Sequence, residues 1–366
     1  MPNRARSLLR AARCGPLATI QRAKADAMSQ NSVNWRNVKK YVEREGATTY
    51  WRPYGAPAIM SAGKSMISGA EQMPRWKTPP KAAISVAING AFFTKNENPN
   101  QPQTATEIIN SAKECIDAGA QIIHIHVRDE RGYNALDSEL FTQVLGELRA
   151  SNAGVALDAC LVAVNEMEFD EMERVLERRL VSAVPINTTA LILGDNLFVK
   201  PPHTIIEKTR MVLEAGMTPQ LAVYTDGDID NARRLLIDSG VVQGPLTWLL
   251  LAGLPGCSPM YSPESMISGL VRQVGLIRDV DPGANIIVCA GGRASLHVAT
   301  LALLMGLHIR VGMEDTVWTW PHSDKMIERN VDVFNLAKTI CESLGRELMT
   351  SQEFAELTGG SAAKAK

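Results

Sequence analysis

The chain has 366 residues, 45% of them hydrophobic and 21% charged, with a formal net charge of −1. Such a composition suits an ordinary soluble protein with a large core in one or two domains, and a charge so near balance argues against nucleic acid or a membrane surface as partner. The six cysteines (Cys14, Cys115, Cys160, Cys257, Cys289 and Cys341) are far apart without a CxxC pair, which argues against a disulfide framework and for a reducing, cytoplasmic compartment.

Residues 1–80 differ in character from the rest. MPNRARSLLRAARCGPLATIQRAKA is arginine-rich and free of acidic residues, like a transit peptide, but lacks the continuous apolar stretch of a secretory signal or membrane span. An unstructured arm, or a start at Met28, is the preferred reading. From Trp35 to Pro80 aromatics recur without periodicity (YWRPYGAP, then MPRWKTPP), so this segment is expected to be an irregular extension that wraps a partner surface. A homo-oligomer is the expected assembly.

From Ala82 onward short apolar runs alternate with amphipathic segments. AAISVAI (82–88) precedes TEIINSAKECIDAGA, QIIHIHV (121–127) precedes SELFTQVLGELRA, GVALDAC (154–160) precedes EFDEMERVLERRL, and LVSAVPI (180–186) precedes HTIIEKTRMVLEAG. PQLAVYT (219–225) leads into DIDNARRLLIDSG, LTWLLLAG (246–253) into SPESMISGLVRQVGLIRD, NIIVCA (285–290) into GRASLHVATLALLMG, and HIRVG (308–312) into DKMIERNVDVFNLAKTICESLG. Glycine after several helical segments (DAGA, EAGM, DSGV) supplies a left-handed cap that releases the chain into the next strand. Eight strand-then-helix units predict a (β/α)8 TIM barrel over 81–350, followed by a C-terminal tail at 351–366. A doubly wound open sheet is the rival, but no GxGxxG follows the first strand.

In such a barrel the chemistry gathers where strands end and loops begin. Those places hold Asn89 and Gly90; His124, His126 and Arg128; Asp158 and Cys160; Asn187 and Thr188; Tyr224; LPGCS at 254–258; GGR at 291–293; and Arg310, Glu314 and Asp315. His124 and His126, two apart in an extended run, share one face, which suits two ligands of one metal. Two imidazoles and a carboxylate with an open position make a catalytic divalent site, commonly zinc. Glu314 is assigned to the metal and Asp315 to proton transfer, because adjacent loop residues rarely reach the same ion. From the residues alone, two half-exposed histidines hydrogen-bonded to neighbours are an equal alternative.

AINGAF with NPNQP (87–102), AGAQIIHIHVRDERG (118–132), PINTTALILGDNLF (185–198), LLAGLPG (250–256), AGGR (290–293) and HIRVGMEDT (308–316) occur in this order. In these stretches the chain resembles the β-keto acid cleavage enzymes, a family that includes 3-keto-5-aminohexanoate cleavage enzyme. The resemblance spans about residues 82–350, and its paired signature HIHVRD and RVGMED is specific. It implies zinc bound through His124, His126 and Glu314, with Asp315 as general base and Arg310 as the arginine that orients and neutralises the reacting centre. It implies a reaction in which a β-keto acid and acetyl-CoA exchange carbons to give acetoacetate and a new CoA thioester.

Asn89, Phe92, Asn187, Thr188, Gly256, Gly291 and Gly292 are the expected substrate contacts. Gly291 and Gly292 would meet CoA phosphates at a helix start, and Gly256 would shape the pantetheine entrance. A tight turn opening a helix, and a plain Pro-Gly turn, explain the same residues without a ligand. Where other members carry a glutamate that pairs with the substrate's ammonium, this chain has Phe92 and Phe93. The family's serine near the end of strand 3 is replaced in the neighbourhood of Asp158, Ala159 and Cys160, and its threonine after strand 4 by Ala190. A neutral tail on the keto acid is therefore expected, ahead of an anionic one drawn in by Lys95. His308 is expected to pack in the barrel interior, and His203, His297 and His322 receive no role. Two other classes compete: a zinc hydrolase, which needs further histidines where Tyr224, Leu251 and Ala290 stand, and a non-catalytic metal-binding barrel.

Overall fold

In the computed structural model the described residues are 34–45, 76–152, 154–162 and 166–359. The chain divides into two units, Met1–Lys77 and Thr78–Lys366. In the first, Trp35–Glu45 is a helix, although the sequence reading found no periodicity there; residues 1–33 and 46–75 of the expected extension lie outside the described residues. No described helix is long and apolar enough to cross a membrane.

The second unit is a closed parallel barrel. Its strands are β1 Ile84–Ala87, β2 Ile122–Ile125, β3 Ala156–Ala159, β4 Ala183–Asn187, β5 Thr218–Val223, β6 Thr247–Ala252, β7 Asn285–Ala290 and β8 His308–Val311, with β8 paired to β1. The helices after them are α1 Ala105–Asp117, α2 Ser138–Ser151, α3 Glu166–Glu177, α4 Pro202–Glu214, α5 Asp226–Ala232, α6 Pro263–Val280, α7 Ser295–Leu304 and α8 Asn330–Ser343. The order agrees with the repeat expected from the sequence. Local chemistry sets the boundaries: Thr104 and Glu107 form a reciprocal cap at the start of α1, and Ser262 with Pro263 opens α6.

Side-chain alternation divides the core in two. One face of each strand packs with the helices, as Ile84, Val86, Ile123 and Ile125 do against Phe141 and Leu145. The other face forms a smaller cluster that includes Ala83, Ile122, Ala222, Leu249 and Ile287. Ile122 belongs to the second cluster, so His124, two residues on, points into the barrel as well.

The end of the barrel away from the site is closed by polar stitching and a helix. Arg346 is buried and its guanidinium donates to the carbonyls of Pro79, Lys81, Leu303, Gly306 and Leu307. Ser351–Leu357 is helical where the sequence reading places a tail: Thr350 caps it, Phe354 is buried beside His308, and Lys81 Nζ lies 2.6 Å from Glu353. His308 sits at this closed end, as expected of an interior residue. Its Nδ1 accepts the N–H of Ala83 at 3.0 Å, and burial, with the charge of Arg346, pushes its pKa down to about 4.

Two hairpins at the other end were not foreseen. β2 stops at Ile125, and Val127–Arg128 turns back in antiparallel pairing with Asn134–Ala135. After β4, Ala190–Leu193 pairs with Asn196–Val199 around Gly194, whose φ of +60° closes the turn.

Candidate active site

Strand register builds the first half of the site. His124 on β2 stands opposite Asp158 on β3, and its Nδ1 contacts Asp158 Oδ1. His126 lies just past the strand, where the first hairpin brings Asn134 Oδ1 within 2.6 Å of its Nδ1. Each ring thus has one nitrogen held by an outer partner, which fixes its rotation and leaves Nε2 facing inward. The ring centroids are 5.1 Å apart.

Glu314, in the loop after β8, completes the group. Its Oε2 lies 3.2 Å from His124 Nε2 and its Oε1 lies 3.5 Å from His126 Nε2. Neither Nε2, nor Glu314 Oε2, has a hydrogen-bond partner among the described residues, although all three atoms are buried. Buried polar atoms are ordinarily satisfied. Ligands about 2.0–2.2 Å from a common tetrahedral centre stand about 3.3 Å from one another, so the two carboxylate–imidazole separations and the orphaned atoms suit a shared divalent ion. Burial disfavours charge on both imidazoles, yet Asp158 and Glu314 beside His124, and Cys160 and Glu314 beside His126, raise both pKa values. Surroundings that favour a proton favour a cation in its place.

Arg310 joins this group to the next. Its Nε and Nη2 donate to Asp315 Oδ2 and Oδ1 at 3.2 and 2.5 Å, and Nη2 also donates to Glu314 Oε1 at 3.1 Å. All three side chains are almost wholly enclosed. Burial opposes ionisation of Glu314, but Arg310 and the two histidines hold it well below the carboxylate range. Asp315 goes the other way: burial and the Glu314 charge, against Arg310, raise it to about 6. The neighbouring carboxylates therefore differ in basicity.

Gly90, in the loop after β1, matters as much as the charges. Gly90 has φ +60°, and a Cβ on it would lie 2.3 Å from Glu314 Cγ. Arg128 fixes the same loop by donating to the carbonyls of Asn89, Gly90 and Phe93, and ties it to the first hairpin through that of Gly132. The sequence reading gave Arg128 and Asp158 no role and did not single out Asn134. A signal existed only for Asp158, which lies as far along β3 as His124 lies along β2.

The residues expected to contact substrate divide. Asn89 donates to the carbonyl of His126 and accepts its N–H, so its amide serves the scaffold. Thr188 Oγ1 is spent on the carbonyl of Asp228. The N–H of Gly292 donates to the carbonyl of Asp315 at 2.8 Å and is not free for a phosphate. A Cβ at Gly291 would strike Leu254, and one at Gly256 would strike the carbonyl of Ile192; both glycines answer to close packing. Asn187 donates to Tyr224 Oη at 3.1 Å and leaves a buried Oδ1 unpartnered. Phe92 is 53% exposed, and Lys95 is paired with Glu107.

Comparison with known proteins gives a consistent picture. A model of the family described as beta-keto acid cleavage enzyme matches residues 81–359. The 3-keto-5-aminohexanoate cleavage enzyme of Acetoanaerobium sticklandii is 28% identical over 280 residues, 76% of this chain and 98% of that protein. The 3-oxoadipate:acetyl-CoA acetyltransferase of Cupriavidus necator is 25% identical over 280 residues, covering 75% and 94%. Among solved structures, the apo structure of ObcA superposes with a TM-score of 0.61 at 16% identity, over 72% of this chain and 66% of that one; this likeness concerns the fold.

Proposed function

The chain belongs to the β-keto acid cleavage enzyme family, and from that premise we propose that it is a zinc-dependent enzyme exchanging carbons between a β-keto acid and acetyl-CoA. The acyl group leaves as a new CoA thioester, and the remaining two carbons join the acetyl group as acetoacetate. The observation that carries this reading is the convergence of His124 Nε2, His126 Nε2 and Glu314 Oε2, all buried and unpartnered, beside the Arg310–Asp315 pair. Acetyl-CoA comes from a relative's name, 3-oxoadipate:acetyl-CoA acetyltransferase.

His124, His126 and Glu314 would hold the metal, with Asp158 and Asn134 orienting the two rings. When bound, the ion supplies Lewis-acid polarisation of the keto acid's oxygens. Asp315 accepts the proton removed from the keto acid; Arg310 occupies one direction at each of its oxygens, which leaves further lone pairs. The buried guanidinium of Arg310 holds that carboxylate in place and offsets negative charge as it develops. Asn187, whose Oδ1 is unspent, and Phe92 remain the proposed substrate contacts, and the free apolar surface of Phe92 favours a neutral tail.

The test is to incubate zinc-loaded protein with acetyl-CoA and a panel of β-keto acids and measure acetoacetate. Formation that disappears on chelation and returns with zinc is the expected result. Metal-loaded protein that makes no acetoacetate from any of them would refute the proposal.

A further inference from the structure

Cys160 is the ligand-type side chain at the site that the proposed chemistry leaves unused. It follows β3 directly, two residues beyond Asp158, and its N–H is tied to the carbonyl of Ile125. Its Sγ and one ring nitrogen from each of His124 and His126 all lie within 4.8 Å of one another. Both Nδ1 atoms are engaged elsewhere and both Nε2 atoms lack partners, so the sulfur approaches the same two rings that Glu314 approaches.

The ordinary role of a buried cysteine is that of a small hydrophobe, and others in the chain fill it. Cys115, Cys341 and Cys289 belong to the apolar clusters; Cys160 belongs to neither. The ionisable groups that act on it are His126, His124 and Lys208.

We propose that Cys160 Sγ is a fourth protein ligand of the metal, added to His124, His126 and Glu314, with the sphere expanding to take the keto acid's oxygens. The inference rests on the metal site proposed above. Binding replaces the S–H bond with a sulfur–metal bond and releases one proton to solvent, with no change of oxidation state. A thiolate beside two imidazoles also makes the site selective, favouring zinc or cobalt over magnesium or manganese. Sγ lies within 4.8 Å of the ring nitrogens, and a zinc–sulfur bond is about 2.3 Å.

The metal-free protein is titrated with Co2+ and its absorption recorded without substrate. One equivalent should bind with a near-ultraviolet sulfur-to-cobalt charge-transfer band. Cys160→Ser and Cys160→Ala should take up cobalt more weakly and lack that band, whereas Cys257→Ser should keep it. X-ray absorption of the unmutated zinc protein should show a sulfur scatterer, which decides the matter even if both variants misfold. Cobalt bound by the unmutated protein without the band, or a zinc shell of nitrogen and oxygen alone, overturns the role of Cys160 and leaves the metal site standing. Failure of the unmutated protein to bind either metal overturns both.

Discussion

Gly90→Ala tests how the loops shape the metal site without touching a charged group. The added Cβ would stand 2.3 Å from Glu314 Cγ, 2.8 Å from its Cβ and 3.0 Å from its Cα. Glu314 cannot retreat as a whole, because its N–H donates to the carbonyl of Ala87 and the next N–H to that of Gly312. The side chain must therefore swing away from the histidines, and the contact with its Cβ, which no rotation relieves, must strain those backbone bonds. Placing alanine at φ +60° costs about 1–2 kcal/mol, and forcing Glu314 off its rotamer about 1 kcal/mol more. The loss of the 3.1 Å bond from Arg310 adds about 1 kcal/mol. Gly90→Ala should thus be destabilised by about 3–4 kcal/mol in denaturant unfolding of the metal-free protein, and once loaded with zinc it should retain much less than one zinc per chain after dialysis. In a Glu314→Gly background the Cγ and Cβ contacts vanish, so the same substitution should cost only the backbone part, about 1–2 kcal/mol. Full zinc occupancy in Gly90→Ala, with equal costs in both backgrounds, would refute the reasoning.

Three further outcomes follow from the same geometry. Asp315→Asn should keep zinc and lose turnover whereas Glu314→Gln should lose zinc; equal loss of metal in both would show the division of labour to be wrong. In a comparison of kcat/KM, the unmodified protein should prefer a neutral β-keto acid to an amino-bearing one by about 1–2 kcal/mol of transition-state binding, the apolar area a half-exposed ring still offers, and Phe92→Glu should narrow that preference; an unchanged ranking would remove Phe92 from the pocket. His308, depressed to about 4 from an ordinary 6.5, is less protonated folded than unfolded, so its contribution is present above pH 6.5 and is lost as pH falls toward 4, by about 3 kcal/mol in all. His308→Asn keeps an acceptor for the Ala83 N–H and cannot titrate, so its unfolding free energy should fall less steeply over that range than the unmodified protein's; parallel curves would assign the slope elsewhere.

The barrel was legible because its signal repeats: each apolar run is followed by an amphipathic one, and a glycine often separates one unit from the next. The histidine pair was legible for a related reason, since a period of two in an extended run decides facing without any tertiary knowledge. Asp158 and Asn134 were not, because their partnership with the two rings depends on interstrand register and on a hairpin too short to leave a pattern. The hairpin Ala190–Leu193 with Asn196–Val199 was hidden for a different reason. Its apolar residues lie on a loop, where exposed Ile192 and Leu197 obey no alternation that a buried strand would impose.

Position at a strand end showed which residues gather at the mouth of the barrel, but not what each does there. Asn89, Thr188 and Gly292 occupy such positions, as His124 and Glu314 do, yet their polar groups are consumed by nearby main chain. The distinction is one of satisfaction. A loop amide or hydroxyl can bond the main chain of the neighbouring strand or loop, and at a crowded strand end Asn89 and Thr188 do so. An imidazole held at Nδ1 cannot turn its other nitrogen toward that same backbone, and Glu314 is pinned by Arg310 in the room that Gly90 leaves. Two fixed rings and a pinned carboxylate thus leave three donor atoms with nowhere local to go, and a cation is the partner their charge and spacing suit.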